Sequence, residues 1–102
     1  MKYVATARFL SDYARLNERE RALFLGTVRE INAAYARDTT AWPPQWPASL
    51  RLKAVQGAPG IWEITWSFAV PDGRATLQFI SVEDEAAVQW RRIGRHDILQ
   101  DP

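Results

Sequence analysis

Cysteine is absent from the chain, which excludes disulfide staples, thiolate nucleophiles and sulfur-ligated zinc or iron sites and leaves packing to hold the fold. Histidine occurs once, at position 96, so any metal site would fall to carboxylates. The acidic run Glu83-Asp84-Glu85 has no ligand spacing and reads as a solvated loop, so neither metal nor other cofactor is expected. No Gly-rich phosphate loop, Walker pattern or Ser-His-Asp order is present, which removes nucleotide hydrolysis and acyl transfer from consideration. Long apolar runs are missing too. Nothing reaches the roughly 18 residues that span a membrane, and the opening residues lack the pattern of a signal peptide, so a cytosolic (cytoplasmic) protein with no membrane partner is expected.

What is present is ordinary globular material: 102 residues, 47% hydrophobic and 25% charged, with a net charge of +1. That length fits a single domain over residues 1–102. A charge so near zero gives no argument for a nucleic-acid partner by itself, and only the arrangement of the charges can supply one.

The hydrophobic period changes once along the chain. Tyr3 to Ala5 read as a short strand, and Thr6 is placed to cap a helix carrying Phe9, Tyr13 and Leu16 at helical spacing. Asn17-Glu18-Arg19-Glu20 has the form of a capping box, opening a longer helix with the stripe Phe24, Val28, Ile31 and Tyr35. Three prolines within the five residues 43–47 then forbid helix or central strand. From Leu50 the period becomes two. Strands are predicted over Leu50 to Val55, Ile61 to Phe68, Arg74 to Ile80 and Ala86 to Ile93, with turns at QGAPG and Pro71-Asp72-Gly73 and an acidic loop at SVEDE. The fold class is therefore α+β, a helical hairpin covering one face of a mainly antiparallel sheet and leaving the other face to solvent.

Alternation puts Arg51, Lys53, Glu63, Thr65, Arg74, Thr76, Gln78, Gln89 and Arg91 on that open face, four cations against one carboxylate. Arginine forks among polar side chains suit phosphate oxygens, although a merely solvated face has the same composition. Past the last strand His96 stands among Arg91, Arg92 and Arg95, where neighbouring cations would disfavour an imidazolium and keep the ring available as a base. Metal-independent RNA cleavage by the ribose 2′-hydroxyl needs a base, an acid and cations, and such a face supplies all three. Trp42 and Trp46 are either base-stacking platforms or plugs at the edge of the core, with packing favoured. Trp62 and Trp66 are core by alternation, as is Trp90, which brings Arg92 to the same side at a sheet margin.

The order of these parts resembles the RelE/ParE superfamily of bacterial toxin-antitoxin toxins over nearly the whole chain. The resemblance rests on the first strand and helical hairpin, the LRLKAVQGAPGIWEI segment, Gly73-Arg74 opening a strand, and the closing IGRHDIL. It implies a RelE-like fold and an mRNA interferase: an endoribonuclease that cuts mRNA in the ribosomal A site without metal, inhibits translation, and is held inactive by a cognate antitoxin. Carried over by position, Arg51 and Lys53 match the basic second strand, Arg74 the arginine after the hairpin, His96 a late catalytic histidine and Glu63 the strand glutamate. The implied catalytic set is His96, Arg74, Lys53 and Arg51, with Arg91, Arg92, Arg95, Thr65 and Gln78 binding RNA. Thr65 stands where many family nucleases carry arginine, and no tyrosine follows His96. The alternatives are a ParE-like gyrase inhibitor without nuclease activity and a non-enzymatic interaction domain.

Overall fold

A computed structural model describes residues 1–40, 44–67 and 72–102; Trp42, Phe68 and Pro71 fall outside them. The chain enters through strand β1 (Lys2–Ala5) and then makes two helices, α1 (Ala7–Ala14) and α2 (Glu18–Arg37). Both helix starts follow from local side-chain chemistry. Thr6 Oγ1 accepts from the Phe9 amide at 3.1 Å, and in the Asn17–Glu20 box each side chain accepts from the other's amide, at 2.8 and 2.9 Å. Arg21 closes the hairpin by donating to the carbonyls of Tyr13 and Ala14 in the last turn of α1.

Strands β2 (Lys53–Ala54), β3 (Trp62–Ser67), β4 (Gly73–Val82) and β5 (Glu85–Arg95) complete a five-stranded sheet in the order β1-β5-β4-β3-β2. Only β1 runs parallel to its neighbour, β5. The core fills the space between hairpin and sheet. Phe9, Phe24 and Ile31 meet Ile64, Trp66, Leu77, Val88, Trp90 and Ile93, all buried. Phe24 stands edge-on to Trp90 at 5.1 Å and to Trp66 at 6.5 Å, a geometry aromatic quadrupoles favour. Trp46 packs on Phe79 at 5.6 Å and is a plug. The Trp66 indole crosses the end of β4 so closely that a Cβ on Gly73 would lie 2.6 Å from it, and its Nε1 donates to the Arg74 carbonyl.

Several sequence expectations change. The strand over Leu50 to Val55 shrinks to two residues, because Ala48–Leu50 form a 3-10 turn and Arg51 takes a left-handed φ of 51° that no strand accommodates. SVEDE is not a loop: Val82 pairs with Glu85, and Glu83 and Asp84, at φ 52° and 64°, make the two-residue turn that a twisted hairpin prefers. The polar sheet face is not open to solvent either. Glu63, Thr65 and Thr76 are buried, and a 3-10 turn over His96–Gln100 leads the chain back so that Pro102 meets Thr76.

Tyr3 joins β1 to α2 through a 2.6 Å hydrogen bond donated to Asn32, with its ring stacked on Trp90. Burial pushes its phenol up from 10.0 to about 12. A proton that the folded state holds more tightly contributes stability in full below pH 10, and that contribution is lost as pH rises towards 12. Absorbance titration is expected to show one tyrosine ionising only near pH 12, and Tyr3→Phe to remove that step and flatten the fall in stability across this window. A wild-type titration without a late step contradicts the assignment.

Candidate functional site

One row of residues crosses the sheet. Lys53 on β2 pairs with Glu63 on β3, Glu63 pairs with Thr76 on β4, and Thr76 pairs with Arg92 on β5. The register slips between Thr76 and Leu77, since Leu77 pairs with Trp90, and Arg91 is therefore an extra residue in β5. Such a bulge sets two consecutive side chains against one partner. Arg91 and Arg92 thus both stand opposite Thr76 in the register, and the Arg92 side chain is carried to the margin beside α1.

At the β2 end of the row is a cleft of about 350 Å³ lined by Lys53, Val55, Gln56, Glu63, His96 and Leu99. Glu63 is its anchor. Although 4% exposed, its Oε1 receives Arg74 at 2.9 Å and faces Lys53 Nζ at 3.8 Å. Arg74 also reaches Asp72 at 3.4 Å. A carboxylate taken out of water has to be compensated, and here two cations share the task. Arg74 is almost fully buried by this pairing, whereas Lys53 keeps 61% of its side chain exposed. His96, the first residue of its 3-10 turn, is exposed. The groups able to meet a ligand in the cleft are therefore Lys53 and His96, with Glu63 and Arg74 beneath them.

The remaining expected site residues divide. Gln78 and Arg91 are joined by a 2.8 Å bond between Arg91 NH1 and Gln78 Oε1, on the face shared with the row. Arg92 lies at the margin and turns to α1, where Asp12 accepts from its Nε at 2.6 Å; this bond raises the guanidinium's affinity for its proton. Arg95 pairs with Glu20 of α2 and lies over the Trp66 ring at 5.9 Å. Thr65 is fully buried and lines a different groove, beside Leu23, Gly26 and Leu50, where its Oγ1 has no hydrogen-bond partner among the described residues. Arg51 is exposed at its left-handed turn outside the sheet. The structure thus gathers Lys53, Arg74 and His96 with Glu63, sets Gln78 and Arg91 at the far end, and takes Arg92, Arg95, Thr65 and Arg51 elsewhere.

Alternation along the chain could not find Asp12, Glu20 or Asp101, the carboxylates that engage these arginines or, through Arg8, the tail. Asp12 gave one signal, as a charge within an amphipathic helix, and it is buried while accepting from the Ile93 amide as well. Among the described residues no group of three or more histidines and carboxylates is arranged to hold a metal ion, and no helix is long and apolar enough to cross a membrane.

No protein-family model matches this sequence, nor does any curated protein. Solved structures do match in fold. The toxin-antitoxin complex RelBE of E. coli is 15% identical with a TM-score of 0.58, covering 92% of this chain and 94% of that one. A YoeB/ParE toxin from Agrobacterium tumefaciens is 16% identical at 0.63, covering 94% and 99%. The RelB-RelE antitoxin-toxin complex of Methanococcus jannaschii is 13% identical at 0.57, covering 96% and 95%. The fold is that of the RelE and YoeB/ParE toxins over nearly the full length of both chains.

The buried pair makes a direct expectation. Glu63→Gln leaves Arg74 charged and poorly compensated, and is expected to cost about 3 kcal/mol in urea denaturation. Lys53→Met, at an exposed and longer contact, is expected to cost less than about 1 kcal/mol. Equal effects from the two substitutions contradict this ranking.

Proposed function

We propose that this protein is the toxin of a bacterial toxin-antitoxin pair and acts as a metal-independent mRNA endoribonuclease that stops translation. The observation that carries this reading is the cleft in which Lys53 and His96 stand exposed over a fixed Glu63–Arg74 pair, on a fold shared with RelE toxins. In the reaction a base removes the proton of a ribose 2′-hydroxyl and the new 2′-O–P bond forms. The P–O5′ bond then breaks, and an acid returns a proton to the leaving 5′-oxygen. His96 is the group in the cleft whose ring can give or take a proton as acid or base. Lys53 offsets the charge that builds on the phosphoryl oxygens, and Arg91 holds backbone beyond it. Glu63 and Arg74 are positioning residues that keep the cleft floor in place. A cognate antitoxin is the expected protein partner, and mRNA in the ribosomal A site the expected substrate.

A second reading has its own support. Leu10, Leu23 and Leu25 are exposed on the helical hairpin, and Arg74, Arg92 and Arg95 are all engaged by carboxylates, as befits a protein that binds a target such as gyrase and cuts nothing. Induced expression separates the two. Rapid loss of translation with cleaved mRNA is expected for the nuclease, and His96→Gln is expected to slow cleavage 100-fold or more, at about the size of a lost acid or base, with stability unchanged. DNA-damage signalling with translation intact, or full toxicity in His96→Gln, contradicts the nuclease reading.

A further inference from the structure

The β5 end of the cross-sheet row carries a feature beyond the backbone contact proposed for Arg91. The main-chain oxygen of Pro102 accepts from Thr76 Oγ1 and from Arg91 Nε, each at 3.1 Å. The oxygen of Asp101 accepts from Arg92 NH1 at 2.9 Å. A hydroxyl from one strand and guanidinium groups from the next, converging on neighbouring oxygens, form the donor set of an oxyanion site. Thr76 is fully buried and set by strand pairing, so its hydroxyl is placed before any ligand arrives. Arg91 donates to Gln78 and to this main-chain oxygen, neither of them a side-chain carboxylate. The site also shares its row with Lys53, two strands and roughly 10 Å away, so one polynucleotide can reach both ends.

We infer that Thr76 and Arg91 form a second phosphodiester site of the RNA cleft, occupied by the oxygen of Pro102 until RNA displaces that strap, which Arg92 steadies from the margin through the Asp101 oxygen. The assignment rests on the proposed RNA-binding role. The strap is latched by an ion pair between the Asp101 carboxylate and Arg8 on α1, both side chains well exposed. The Arg8 hydrogen bond also holds the Asp101 carboxyl below its usual range, so the latch stays charged at neutral pH.

Arg8→Gln gives a test in which two explanations differ in sign. Removing a surface cation weakens binding of any polyanion, whereas releasing the strap strengthens it. Binding is measured with a short 2′-O-methyl oligoribonucleotide, which retains phosphodiesters but cannot undergo 2′-hydroxyl attack, after circular dichroism has established that each variant folds. Arg8→Gln and Asp101→Asn are both expected to bind it about twofold to fivefold more tightly than wild type, the span of one exposed ion pair. Unchanged or weaker binding by Arg8→Gln overturns the strap, as does tighter binding by Asp101→Asn alone, or no binding by any of the three proteins. Cleavage of unmodified RNA is scored separately. Absent cleavage with tighter Arg8→Gln binding removes the nuclease reading and leaves the strap standing, and His96-dependent cleavage without that tightening does the reverse.

Discussion

Glu63 cannot lie in the middle of this sheet unless Arg74 lies with it. A carboxylate that far out of water costs several kcal/mol unless compensated, and a guanidinium 2.9 Å away on the adjacent strand compensates it. The requirement fixes more than two side chains. Arg74 opens β4 immediately after Gly73, and Gly73 is tied by close approach to Trp66, the indole that faces Phe24 of the hairpin. Helices, sheet and cleft floor therefore share one set of positions. The cleft keeps two exposed groups above a buried carboxylate–guanidinium pair.

The local parts of the fold were legible in the sequence. A threonine followed by an amphipathic run, an Asn-x-x-Glu box and a change of period from helical to two each depend on neighbours within a few residues. The alternating strands also placed Trp66, Leu77, Val88 and Trp90 in the core. What stayed hidden depends on distance along the chain or on backbone detail. Arg51 alternates like a strand residue, and nothing in its neighbours announces a left-handed φ. The slip between Thr76 and Leu77 leaves each strand's own pattern intact and shows only in their pairing. Asp12 and Glu20 reach Arg92 and Arg95 across some 80 and 75 positions, so the cluster of arginines that drew attention in the sequence is divided among partners no local pattern could name.

That division explains how a nearly neutral protein carries so many arginines in its last strand. Arg92 and Arg95 stitch β5 to the two helices, and Arg74 is sunk beside Glu63. Such charges set the geometry of the fold more than they attract a polyanion. Lys53, Arg91 and His96 differ: Lys53 meets Glu63 only at 3.8 Å, Arg91 donates to Gln78 and to the Pro102 oxygen, His96 is exposed at the cleft, and the three lie along one path from the cleft to the strap. The shared RelE fold leaves open how each chain with it uses its sheet face, so the chemistry has to be read from those three residues and the row beneath them.

The central claim is that this row, from Lys53 to the Arg91 bulge, is the surface that meets RNA. The direct measurement is a nuclear magnetic resonance titration of isotope-labelled protein with a single-stranded oligoribonucleotide blocked at the 2′-positions. The expected result is that the largest shifts fall on Lys53, Gln56, Thr76, Arg91 and His96, with the exposed face of the helical hairpin unaffected. Shifts confined to Leu10, Leu23 and Leu25 on the hairpin, or none at all, contradict it.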